Sequence, residues 1–181
     1  MLRLSSWVNR TTVFFGCLNE NNRGLMKAEY LNPFVHATKN VLETMAQTKL
    51  TGQKPHLKEG VATFGDVTGI IGMASETVEG TMTISFPAAC IIQIVSRMLM
   101  EEPKTGIDND IVDAVGEITN MICGGAKAEF GKLGMSFNLA TPTMVTGKGV
   151  EIHHYSDVPI IVLPFETDCG TFVLEANLAS K

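Results

Sequence analysis

Glu117 and Asn120 set a carboxylate and a primary amide three residues apart in the segment AVGEITNMICGGAKAEF, residues 114–130. On a helix, residues i and i+3 are neighbours about one turn apart, so both heads would project side by side from a rigid rod. The amide can accept a hydrogen bond through its carbonyl oxygen and donate others through its NH2 without changing charge. With 13 Glu and 10 Asn in 181 residues, Glu-x-x-Asn arises about 0.7 times by chance, and it occurs twice. The other instance, Glu29 and Asn32, has a simpler use, because Asn32 would cap a helix that Pro33 opens. Spacing alone leaves the plain reading open, a surface helix displaying polar residues.

The element that must carry the pair is a long helix. Ile111, Val115, Ile118, Ile122, Ala126, Phe130 and Leu133 recur at steps of three and four, which makes one core-facing stripe. Asp113, Glu117, Asn120, Gly124 and Lys127 form a polar stripe roughly 165° away at 100° per residue. Asp108 is a good N-cap, and the pattern runs to about Leu133 or Gly134. Gly124 and Gly125 lie one turn beyond Asn120, where each costs about 1 kcal/mol of helix stability relative to alanine. Glycines there would let another backbone approach the polar face closely.

Around it, apolar spacing predicts a helix from Asn32 to about Thr48, followed by a TGQKP loop at 51–55. Segments Val61–Ala74 and Glu79–Phe86 read as a hairpin-like strand pair. Pro87 opens a second helix, apolar nearly all round and so expected to be enclosed, which ends near Glu102 and Pro103. The segments Phe137–Ala140, Val150–Tyr155, Val158–Glu166 and Thr171–Leu178 read as a β-meander. Helices segregated from mostly antiparallel strands predict an α+β two-layer domain with long helices on one face. Met98, Met100 and Met121 read as core gap-fillers.

Composition narrows the function. A chain that is 45% hydrophobic and 18% charged is neither a collagen, a coiled coil nor a disordered polymer. Its net charge of −5 has the wrong sign for a protein that binds nucleic acid by neutralising phosphates. Cys17, Cys90, Cys123 and Cys169 are too widely spaced for a zinc motif and do not suggest a disulfide framework. The longest apolar stretch, Pro87 to Met100, falls short of the roughly 20 residues that span a bilayer, so no membrane partner is expected. His153 and His154 would point to opposite faces of a strand, and Gly147 with Lys148 lacks the phosphate-loop pattern. Residues 1–25 carry three Arg and one Glu, and Asn9 and Arg10 break their apolar run, which argues against a signal peptide. They read as an extension, from a misassigned start or poorly ordered, ahead of a single domain at 26–181 that opens with Met26.

Residues 26–181 resemble the CheX phosphatases of the CheC/CheX/FliY family, on the strength of AVGEITNMICGGAKAEF (114–130) and TPTMVTG (141–147). CheC is similar but carries two Glu-x-x-Asn helices, so the single helical motif fits CheX better. The resemblance implies a hydrolase acting on the aspartyl phosphate of a CheY-like receiver. Glu117 would pair with the receiver's lysine, and Asn120 would orient the attacking water. Asp113, Gly124 and Lys127 would contact the receiver along the same stripe. It also implies a cytoplasmic homodimer with no metal or cofactor of its own, the divalent magnesium belonging to the receiver. The apolar run Val158–Phe165 would make an exposed strand edge a liability unless paired, as in a sheet-mediated dimer. The rival reading is a non-catalytic receiver-binding adaptor or sequestering module. Retention of both Glu117 and Asn120 favours the enzyme.

Overall fold

A computed structural model describes residues 30–153 and 158–181. Residues 1–25, read above as an extension, lie outside that range, as do Cys17 and His154. The chain forms α1 (Asn32–Met45), β1 (Leu50–Gly52), β2 (His56–Leu57), β3 (Val67–Ala74) and β4 (Val78–Phe86). Then come α2 (Ala88–Leu99), α3 (Asn109–Lys132), β5 (Asn138–Leu139), β6 (Thr143–Thr146), β7 (Ile161–Thr167) and β8 (Gly170–Ser180). Among the described residues all eight strands join one antiparallel sheet in the order β1-β7-β8-β4-β3-β5, with β2 also pairing β7 and β6 also pairing β3. This is the α+β arrangement expected, with the helices on one face.

The period-2 pattern of the strands decides which face the helices take. Ile71, Met73, Met82, Ile84, Phe86, Leu163, Phe165, Phe172 and Leu174 point to the helices and are buried. Phe86 and Phe165 stack on Phe172 at ring-centroid distances of 4.7 and 5.2 Å. At the far end of α3, Phe130 meets Phe34 at 5.4 Å and Phe137 at 5.0 Å.

The opposite face carries Thr68, Thr83, Ser85, Glu175 and Asn177, which are also buried. Residues 58–66 cross this face and pair with residues 150–152 through Thr63 N–H to Val150 O (2.8 Å) and Ile152 N–H to Val61 O (2.9 Å). Lys58 donates to Glu175, with 8% and 6% of the two side chains exposed, so the pair is held out of water. Gly65 donates to Ser85 Oγ at 2.8 Å. A Cβ at Gly65 would come within 2.2 Å of the Phe86 carbonyl carbon, so only glycine fits this crossing. For this reason β3 begins at Val67 and not near Val61.

Several sequence expectations are corrected. Asn32 does not cap α1: Leu31 occupies that position in helical conformation with no side-chain cap, and Asn32 is already helical. The helix ends at Met45, and the expected 51–55 loop contributes Thr51 and Gly52 to β1. The C-terminal strands are not a meander, because β5 and β6 pair with β3 while β7 and β8 form their own hairpin. No strand forms at 150–153; Glu151 makes one bridge to Ala62, and Tyr155 lies outside the described residues. The edge argument for a dimer loses its premise, since β7 lies between β8 and the short strands β1 and β2.

α2 is enclosed on one face only. Cys90, Ile91, Ile94 and Val95 are buried, Leu99 is exposed, and Met100, in left-handed conformation after the last turn, is 91% exposed. Met100 is therefore no core filler, whereas Met98 and Met121 are partly buried against the core.

Candidate functional site

α3 spans 24 residues, about 36 Å at 1.5 Å per residue. Its start is set as its sequence predicts: Asp108 Oδ1 accepts from Ile111 N–H at 3.0 Å. Lys104 pairs with Asp108 at 2.9 Å and also with Asp110. The Lys104 ammonium, and then the Ile111 N–H, hold the Asp108 carboxyl below its ordinary pKa. The same carboxylates, Asp110 foremost, push Lys104 above the usual lysine range.

Ile111, Val115, Ile118, Ile122, Ala126 and Phe130 are all fully buried, as their spacing predicts. Leu133 breaks the stripe at 56% exposure because it is the C-cap, where the chain has left the helix. Three close approaches hold the rod on its bed. Thr119, fully buried, donates its hydroxyl to Val115 O at 2.7 Å and sits over Gly69 of β3. Gly116 faces the Met144 side chain of β6. Gly125 faces Ala37 of α1, where an added Cβ would come within 3.0 Å of the alanine methyl.

That last contact corrects the reading of the glycine pair. Gly125 serves internal helix packing, whereas Gly124 has open space around it and stays on the polar face. Asp113, Glu117, Asn120, Gly124 and Lys127 are all exposed, so the structure gathers every residue of the predicted stripe on one solvent-facing line. Neither Glu117 nor Asn120 has a hydrogen-bond or ion-pair partner among the described residues. Both heads are free to meet something else.

The stripe lies on the convex surface of a helix. A groove of about 710 Å³ lies instead on the outer side of the sheet, lined by Gly72, Thr81 and Asn177, away from Glu117. A convex carboxylate–amide pair suits insertion into another molecule's cleft better than capture of a small ligand. Among the described residues no three His, Cys, Asp or Glu side chains group as metal ligands, and His153 has only Glu151 nearby at 3.5 Å. Burial pushes the Cys90 thiol up to about 11 and the Cys123 thiol up to about 12, so neither of these two is poised as a nucleophile. Thr119 and Gly69 escaped the sequence reading. An isolated glycine inside a strand, which signals close backbone or side-chain approach, was the available clue.

Comparison with known proteins bears on the fold and the family. A CheC-like superfamily protein from Shewanella sp. PV-4 superposes with a TM-score of 0.79 at 40% identity, over 84% of this chain and 99% of that one. The CheX of a CheX–CheY–BeF3–Mg complex from Borrelia burgdorferi has the same fold, with a TM-score of 0.69 at 24% identity, covering 84% of this chain and 97% of that one. A curated relative, the CheY-P phosphatase CheX of Thermotoga maritima, is 22% identical over 130 residues, 72% of this chain and 83% of its own length. The model of the chemotaxis phosphatase CheX family matches residues 67–166, which run from β3 through the whole of α3 into β7. With its exposed Glu-x-x-Asn helix on the shared sheet, the chain belongs to the chemotaxis phosphatase CheX family.

Proposed function

We propose that this chain hydrolyses the aspartyl phosphate of a CheY-like receiver by inserting the Glu117–Asn120 face of α3 into the receiver's active site. The observation that carries this reading is the pair itself: two adjacent polar heads, exposed and without hydrogen-bond or ion-pair partners among the described residues, on a helix locked to the sheet. Asn120 accepts a hydrogen bond from a water through its amide oxygen and donates to a phosphoryl oxygen, which fixes the line of attack. As a neutral group it neither takes up nor loses charge, and no covalent intermediate forms on this chain. Glu117 pairs with the receiver's lysine and orients the complex. Asp113, Gly124 and Lys127 extend the contact along the stripe, and the open space at Gly124 suits a close backbone. The receiver brings its own magnesium, which neutralises phosphoryl charge.

Activity is read as loss of label from a phospho-receiver. Wild-type chain should accelerate that loss, and Asn120→Ala should lower turnover by about 10²-fold or more, as expected when a positioned hydrogen-bonding group is removed. Affinity for a beryllofluoride-activated receiver should survive that change. An Asn120→Ala variant with wild-type turnover overturns the assignment, and a wild type that binds without hydrolysing replaces the enzyme by an adaptor. We also infer a cytoplasmic homodimer. The outer sheet edges, β1 with β2 at one end and β5 with β6 at the other, are the places where a second copy can add strands. Light scattering should give about twice the chain mass of 19.6 kDa.

A further inference from the structure

Gly69 and Thr119 lie outside the polar stripe, yet among the glycines where α3 packs on its neighbours Gly69 leaves the least room for a side chain. A Cβ placed on Gly69 would fall 2.1 Å from Thr119 Oγ1 and 3.1 Å from Thr119 Cβ, far inside normal packing distance for the oxygen. Gly69 is the one inward position of β3 without a side chain, between Val67 and Ile71. Thr119 fills that notch from above, with its hydroxyl proton already committed to Val115 O. In the chain Thr119 lies between Glu117 and Asn120, so its seating sets the rotation and height of both. We propose that Gly69 is a positioning residue: the notch it opens in β3 seats Thr119 and thereby aims the Glu117–Asn120 pair.

The lever arm makes this contact consequential. A helix with its side chains is about 10–12 Å across, so a rotation of about 10° moves polar heads at its rim by about 1 Å. A misplacement of that size can cost about 10²-fold in a reaction that depends on aligning a water. Seating an alanine at 69 requires Thr119 Oγ1 to retreat by about that distance. The partner contacts at Gly116 and Gly125 are looser, so neither sets the rotation as sharply.

This inference rests on the phosphatase reading only for its activity arm, and a shape-specific double substitution tests it independently. Four proteins are compared: wild type, Gly69→Ala, Gly69→Ala with Thr119→Ala, and Gly69→Ala with Thr119→Val. The readouts are the backbone amide resonances of Glu117 and Asn120 and the rate of phospho-receiver hydrolysis. Gly69→Ala should shift both resonances and slow hydrolysis by about 10-fold or more. Thr119→Ala removes the offending oxygen and leaves only the milder 3.1 Å contact at its Cβ, so it should restore most of both, whereas Thr119→Val refills the same space and should not. If Gly69→Ala fails to fold, folding becomes the readout and should return with the alanine partner alone. The proposal is overturned if Gly69→Ala keeps wild-type resonances, if its hydrolysis equals that of a hydrolysing wild type, or if valine rescues as well as alanine. A wild type that does not hydrolyse sinks the phosphatase reading, and the resonances then decide the notch by themselves.

Discussion

The two faces of α3 differ in what holds them. The sheet-side face is a continuous run of fully buried side chains, packed against β3, β4 and α1. The solvent-side face is a line of exposed groups whose two central members have no hydrogen-bond or ion-pair partner among the described residues. A packed face is over-determined by many small contacts, so changes there should be felt as lost stability. An open face contributes little to folding, so changes there should be felt only when a partner arrives. Having both faces on one rigid element lets the fold hold two polar groups in place without binding them itself.

The largest effect should come from breaking the packed face. Phe130→Ala removes a ring in contact with Phe34 and Phe137 and should cost about 3–5 kcal/mol in urea unfolding, as large core truncations do. Hydrolysis by the fraction that remains folded should be close to normal, because Phe130 is more than two turns beyond Asn120. Lost turnover with intact stability would blur the distinction between the faces.

On the open face the expected pattern reverses. Glu117→Ala should leave unfolding unchanged within about 0.5 kcal/mol. It should weaken binding to a beryllofluoride-activated receiver by about 10-fold or more, since the receiver's lysine is left unpaired. Turnover falls with it. A Glu117→Ala variant that unfolds early but binds normally would place the residue among the packing groups.

Gly124→Ala sharpens the comparison within one residue. Space at this position is open, so alanine should stabilise the helix by up to about 1 kcal/mol. The same methyl stands on the docking face and should reduce receiver affinity. Greater stability with unchanged affinity would remove Gly124 from the contact. Gly125→Ala, one residue along, should instead press on Ala37.

The smallest effect concerns the start of the helix. Asp108 is held below its ordinary pKa in the folded chain by Lys104 and the Ile111 N–H. Its stabilisation is therefore present above the unfolded carboxyl value of about 4 and is lost as pH falls through and below it. Asp108→Ala should lower the melting temperature near neutral pH, and the difference from wild type should shrink as the pH is taken below about 4. A difference that stays constant over that range would count against an ionised cap.

The sequence by itself determined the elements whose pattern is local. The stripe from Ile111 to Phe130, the Asp108 cap and the polar line through Glu117 and Asn120 are set by the 3.6-residue period and one capping side chain. The β3–β4 hairpin was legible for the same reason, as neighbouring segments pair across a short turn. Tertiary structure decided everything that depends on a partner distant in the chain. That Gly125 meets Ala37 while Gly124 meets solvent cannot be read from two adjacent glycines. The outer sheet face carries Thr, Ser and Glu side chains that are nonetheless buried. It is covered because Lys58 and Gly65, more than a hundred and about twenty residues away from their partners, reach Glu175 and Ser85. The apolar face of α2 extends past its buried stripe because only one side of that helix meets the sheet, which periodicity does not reveal in a segment apolar nearly all round. Glu117 and Asn120 were visible as a pair because helix geometry is local. Their fixed aim depends on Thr119 finding a missing Cβ fifty residues earlier in the chain, and only the packed structure brings those two positions together.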